Sequence, residues 1–168
     1  MRLPSRMLVP ATAIAMLGTV GVAGGCKAVE ESDAQAITLP ELPAPARAAI
    51  EREADAASIT DLTTTVDDGK VVYVAEFTRN GRETEVEVFA DGTIASIETA
   101  ITLADVPASV LAVAEREAGD LKITEIDREV SSGRTTYEFD VKGPSGSGEI
   151  VVSDDARLVS RQLKRSSK

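Results

Sequence analysis

The stretches ITLPELPAPARAAIEREADAASIT (residues 37–60) and ITLADVPASVLAVAEREAGDLKIT (residues 101–124) align without a gap when the chain is shifted by 64 positions. Over the whole of residues 37–100 against 101–164, 19 of 64 pairs are identical, where average composition gives roughly four or five. The pairs include Ile37 with Ile101, Pro43 with Pro107, Ile59 with Ile123, Gly69 with Gly133, Tyr73 with Tyr137 and Val88 with Val152. The body of the chain therefore reads as one unit written twice, residues 37–100 and 101–164.

Each unit reads as a helix followed by about four strands. Pro43 and Pro107 stand at helix starts, where a fixed φ and a missing N–H cost nothing, and Glu41 and Asp105 lie just before them. Ala46, Ala49, Ile50 and Ala54 recur at helical spacing in the first unit, as do Val110, Leu111, Ala114 and Ala118 in the second. Beyond the helices the period becomes two. Tyr73, Ala75 and Phe77, matched by Tyr137, Phe139 and Val141, share one strand face, and Val86 and Val88, matched by Ile150 and Val152, extend it. Asp68-Gly69, Asn80-Gly81, Asp91-Gly92 and Ser132-Gly133 mark tight turns. The expected fold is α+β: two tandem repeats, each one helix packed on an antiparallel sheet of about four strands. Units of this size bury only about 60% of their unfolded surface, so the two are expected to share a core or a continuous sheet.

On these residues the chain resembles the PepSY-like, beta-lactamase-inhibitor-like domains of secreted bacterial proteins. The matching positions are Leu42-Pro43 at the helix start, Ile59 in the first strand, Gly69 in the turn, Tyr73 in the second strand and Asp91-Gly92 before the last. The second unit keeps Pro107, Ile123, Gly133 and Tyr137 but has Val106 for the leucine, Asp155-Ala156 for the Asp-Gly pair and the looser GPSGSG (143–148) as its third turn. The resemblance implies a non-catalytic domain, of a kind that binds or inhibits secreted enzymes. It implies no inhibitory residue, because the matching positions are turn, cap and core.

The first 25 residues read as a lipoprotein-type signal peptide. Arg2 and Arg6 precede an uncharged stretch from Met7 to Ala23, too short for a permanent span, which needs about 20 apolar residues. Val22-Ala23-Gly24-Gly25-Cys26 resembles a lipobox, although Ala23 stands where leucine is usual. Cys26 is the expected lipidation site and the membrane the expected partner through that lipid. Residues 26–36 read as a tether and 165–168 as a basic tail. The location that follows is the cell envelope, lipid-anchored, on the outer membrane facing the periplasm in a Gram-negative cell, since Lys27 follows the cysteine.

Composition narrows the chemistry. The chain has 168 residues, 18 Lys and Arg against 28 Asp and Glu, no His, no Trp and one Cys. No histidine means no Ser-His or Cys-His pair and no His-ligated zinc. A single cysteine excludes an intrachain disulfide and a four-cysteine metal site. A net charge of −10 argues against nucleic acid, whose backbone is held by clustered cations. Asp67-Asp68, Asp91 and Asp154-Asp155 lack the alternating ligands of a calcium loop and read as turns. No serine opens an S-x-x-K pattern. No catalytic residue, metal ligand or cofactor is expected. Carboxylate catalysis is the weakest alternative, since the acids fall in turns, outward strand faces and helix ends.

The sheet face turned away from the helices carries the functional expectation. Glu76, Glu83, Glu85 and Glu87 in the first unit, and Glu138, Asp140 and Glu149 in the second, alternate outward. Val72, Val74 and Phe89 join them, where the second unit has Thr136, Glu138 and Ser153. Val72, Val74, Glu76, Glu85, Glu87 and Phe89 together resemble a contact surface for a protein partner, a basic one by charge. The expected function is a non-catalytic, lipid-anchored envelope binding module, with inhibition of a secreted peptidase or beta-lactamase as the alternative.

Overall fold

A computed structural model describes residues 34–54, 59–67 and 69–166. In chain order its elements are β1 (Gln35–Ala36), α1 (Ala44–Ala54), β2 (Ile59–Asp67), β3 (Lys70–Arg79), β4 (Arg82–Phe89), β5 (Ile94–Ala100), α2 (Ala108–Ala118), β6 (Lys122–Ser131), β7 (Arg134–Gly143), β8 (Gly146–Ser153) and β9 (Leu158–Arg165). The signal segment, Cys26 and residues 27–33 of the expected tether lie outside the described residues; Gln35–Ala36, at the tether's end, forms β1.

The strands form one antiparallel sheet of nine, in sequence order from β1 to β9. This corrects the expected fold class. The described chain is mostly β, with two α-helices, and does not divide into two helix-on-sheet repeats. The joint is the β5–β6 ladder, in which Ser96 pairs with Ser131, Glu98 with Glu129 and Ala100 with Asp127. The Ser131 hydroxyl donates to the Ala95 carbonyl at 2.9 Å, and Arg82 of β4 meets Asp105, just before α2, at 3.0 Å. The physical reason is the edge. A sheet ending at β5 would leave a row of unpaired backbone N–H and C=O groups, which β6 satisfies. Hydrophobic alternation reports which face a residue occupies and is silent on which edges pair.

Both helices lie on one face. Paired residues across a ladder share a face, and the chain of pairs Ala75–Val86–Ile97–Val130 carries the α1 side of the sheet into the α2 side. Under α1 the core comprises Leu42, Ala46, Ala49, Ile50, Phe77, Val86 and Val88. Under α2 it comprises Val106, Val110, Val113, Ala114, Phe139, Val141, Ile150 and Val152. Bulk changes places between them. Ala46, Ala49 and Ile50 stand 64 positions before Val110, Val113 and Ala114, and Ala75 and Phe77 before Phe139 and Val141. Total volume is roughly kept, which is what a close-packed interior requires.

The turns follow their chemistry. Asn80-Gly81 (φ 54° and 76°) and Ser132-Gly133 (φ 51° and 73°) each place two successive residues in the left-handed region, as a type I′ hairpin needs. Gly92 has φ 85° and also lies against α1: a Cβ there would come within 2.8 Å of the Pro45 carbonyl oxygen. Gly92→Ala is therefore expected to cost about 1–3 kcal/mol, combining left-handed strain with that overlap, measured as a lower urea midpoint at unchanged slope. Its counterpart Ala156 already has φ 62°.

Candidate functional site

Strand alternation places all six expected contact residues on the face without helices. Val72 pairs with Phe89, Val74 with Glu87 and Glu76 with Glu85. Their exposure differs. Val72 and Val74 are each 2% exposed, between Thr65 and Phe89 and between Thr63 and Glu87. The glutamates and Phe89 are half-buried, so the part of this group that a partner can reach is Phe89, Glu76, Glu85 and Glu87. Lys70 sits 5.3 Å from the Phe89 ring centroid, a cation–π contact at the margin of the face.

Register adds residues that alternation within single strands missed. Asp61 pairs with Glu76, Glu76 with Glu85, Glu85 with Glu98 and Glu98 with Glu129. One acid from each of β2, β3, β4, β5 and β6 thus forms a row across the sheet, at strand spacings of about 4.8 Å. A second group lies beside it: Asp127 pairs with Glu138, and Asp140 with both Glu125 and Glu149. The signal that could have exposed Glu98 and Glu129 is the pairing of β5 with β6, which joins the two halves and is not written in either strand's own pattern.

Hydroxyls and burial surround these acids. The Ser96 hydroxyl donates to Glu87 Oε2 at 2.8 Å and the Thr136 hydroxyl to Glu129 Oε2 at 3.2 Å. Asp127 is 6% exposed. Burial, reinforced by the charges of Glu149 and Glu98, a hydrogen bond with Glu149 and the charge of Asp127, pushes the Glu138 carboxyl up to about 8. At neutral pH Glu138 therefore holds a proton, and it shares a hydrogen bond with Glu149. Among the described residues no group of three or more His, Cys, Asp or Glu side chains is arranged to hold a metal ion, and no helix is long and apolar enough to cross a membrane.

No family model matches the chain, and no curated protein matches it. Solved structures share its fold. A candidate periplasmic protein from Bacteroides eggerthii is 20% identical with a TM-score of 0.62, over 73% of this chain and 88% of that one. A DUF2874 family protein from Bacteroides uniformis is 17% identical with a TM-score of 0.61, over 72% and 88%. A BLIP-like protein from Bacteroides fragilis is 16% identical with a TM-score of 0.57, over 74% and 87%. The chain thus has a BLIP-like fold, and at these identities the likeness extends to the fold alone.

Proposed function

We propose that this chain is a non-catalytic, lipid-anchored module of the cell envelope, of PepSY-like and BLIP-like kind, which docks a basic segment of a partner protein on the open face of its sheet. The observation that carries the reading is the row Glu76–Glu85–Glu98–Glu129. Acids aligned across neighbouring strands give this face a negative potential that steers a cationic partner to it by long-range attraction. The exposed part of Phe89 supplies an apolar contact at the edge of the charged area.

Export and anchoring rest on the signal-like segment and Cys26, in the envelope setting that the names of fold relatives also suggest. Inhibition of a secreted peptidase or beta-lactamase is the second reading, prompted by the BLIP-like relative. It lacks a projecting element: among the described residues the hairpin turns Asn80-Gly81 and Ser132-Gly133 are two residues long and sit at strand ends.

The test is capture from envelope extract by the chain beginning at Lys27. Glu85→Gln with Glu87→Gln, which keeps side-chain size, should abolish capture of a basic protein that wild type retains at about 0.15 M salt and releases at 1 M. Capture that is indifferent to both the substitutions and salt would overturn the proposal.

A further inference from the structure

On a chain of net charge −10 the last strand is the exception. β9 reads LVSRQLKR, with three cations and no acid. It is the outer strand of the sheet. Arg161 pairs with Ile150, Leu163 with Gly148 and Arg165 with Gly146, which puts these three on the helix side, while Lys164, opposite Ser147, is on the other. Where β9 meets the end of α2 and the β7–β8 turn there is an open cavity of about 760 Å3, lined by Leu121, Pro144 and Leu163 together with Arg161, Lys164 and Arg165. Asp120 is the one acid in that lining.

The cations divide by role. The Arg161 Nε–H donates to the Glu117 carbonyl at 3.0 Å and lies 3.7 Å from the Glu117 carboxylate, so it fastens the end of α2 to the sheet. Lys164 and Arg165 are exposed, and among the described residues neither enters an ion pair.

We infer that this end of the sheet is a docking surface for an anionic lipid bilayer. The cations project from both sides of a single edge strand and stay in solvent, an arrangement suited to a plane of head groups rather than to one enclosed anion. Leu163, Leu121 and Pro144 beside them give the mixed apolar and basic character of an interfacial contact. The protein's acidity opposes it on one side only. Glu149 and Asp140, the open-face acids on β8 and β7, share a side with Lys164 but project from the opposite side of the sheet to Arg161 and Arg165. The acidic row ends at β6, three strands away, about 14 Å at the usual spacing and beyond the screening length of about 8 Å at physiological salt. Edge-to-edge pairing with a second copy is disfavoured, because two antiparallel β9 strands would set these cations against one another. Docked by the outer edge of β9, from which Lys164 and Arg165 project to either side, the molecule would hold its acidic row away from the bilayer. The inference stands independently of the function proposed for that face.

The experiment is co-sedimentation of the chain beginning at Lys27, which holds every described strand and helix and carries no acyl group, with vesicles of 30% phosphatidylglycerol in phosphatidylcholine. Wild type should bind these vesicles, release with rising salt and ignore pure phosphatidylcholine. Lys164→Gln with Arg165→Gln should weaken binding about 25-fold, roughly fivefold per cation, at unchanged circular dichroism and melting temperature. Arg47→Gln with Arg52→Gln on α1 removes the same charge and should leave binding within about twofold. Equal binding to neutral vesicles, no binding to anionic ones, or an equal loss in the α1 variant would each overturn the inference.

Discussion

Phe77→Ala and Phe139→Ala should each lower the stability of the chain by about 3–5 kcal/mol, and each should do so within one unfolding transition. The two rings are 2% and 0% exposed and lie in different core clusters, under α1 and α2 respectively. Truncation to alanine removes the transfer free energy of a ring and leaves a cavity that close-packed surroundings fill only in part. If the halves were separate units, each variant would shift one transition and spare the other. The continuous sheet predicts otherwise. Losing the β2–β5 half strips β6 of one of its two partners and breaks the Arg82–Asp105 pair, so a lesion at Phe77 is felt at Phe139. Urea titrations followed by circular dichroism decide the matter; two resolved transitions, each moved by only one substitution, would show that the β5–β6 ladder does not couple the halves.

A second large effect is expected from pH acting on Glu138. Its carboxyl is raised to about 8 in the folded chain, while in the unfolded chain it returns to the ordinary range near 4.3. Between those values the folded state binds more protons than the unfolded one, so this group's contribution to stability is fully present below about pH 4.3 and is lost as pH rises through about 8. The limiting slope is about 1.4 kcal/mol per pH unit. Glu138 keeps contact with solvent, and screening reduces the expected loss to about 1–2 kcal/mol between pH 5 and pH 8. Glu138→Gln should flatten that part of the profile, and at pH 8 the variant should be the more stable protein. Its advantage should shrink toward pH 5, where the folded wild type keeps its proton and the unfolded chain approaches its own pKa. Stability curves of the two proteins that run parallel across this range would refute the assignment, and a variant advantage that grows toward acid would reverse its sign.

Much of the local structure was legible. Asn80-Gly81 and Ser132-Gly133 adopt the left-handed pair that their residue types favour. Helices start beyond Pro43 and Pro107, whose carbonyls accept the N–H groups of Arg47 and Leu111 at 2.9 and 3.0 Å. Tyr73, Phe77, Tyr137 and Phe139 fall on the helix side of the sheet, as period-two alternation required. The candidate site was legible only within each strand. Glu76, Glu85 and Glu87 could be placed on the open face from β3 and β4 alone, whereas Asp61, Glu98 and Glu129 join them through pairings between strands. The burial of Val72 and Val74 was equally out of reach, because alternation assigns a side chain to a face without saying how deeply its neighbours enclose it.

The amino-acid sequence by itself determined what depends on nearest neighbours along the chain: where helices begin, where hairpins turn and which side chains share a face. Those properties follow from backbone sterics and from a period of two or 3.6 residues, and they act over a few positions. Only the tertiary structure decided that β5 and β6 pair, that both helices lie on one side of nine continuous strands, and that acids from five strands line up on the other. Those outcomes depend on unsatisfied backbone groups finding partners far away in the sequence. An edge strand's need for a neighbour is the same whatever its side chains, so no residue pattern announces which neighbour it takes.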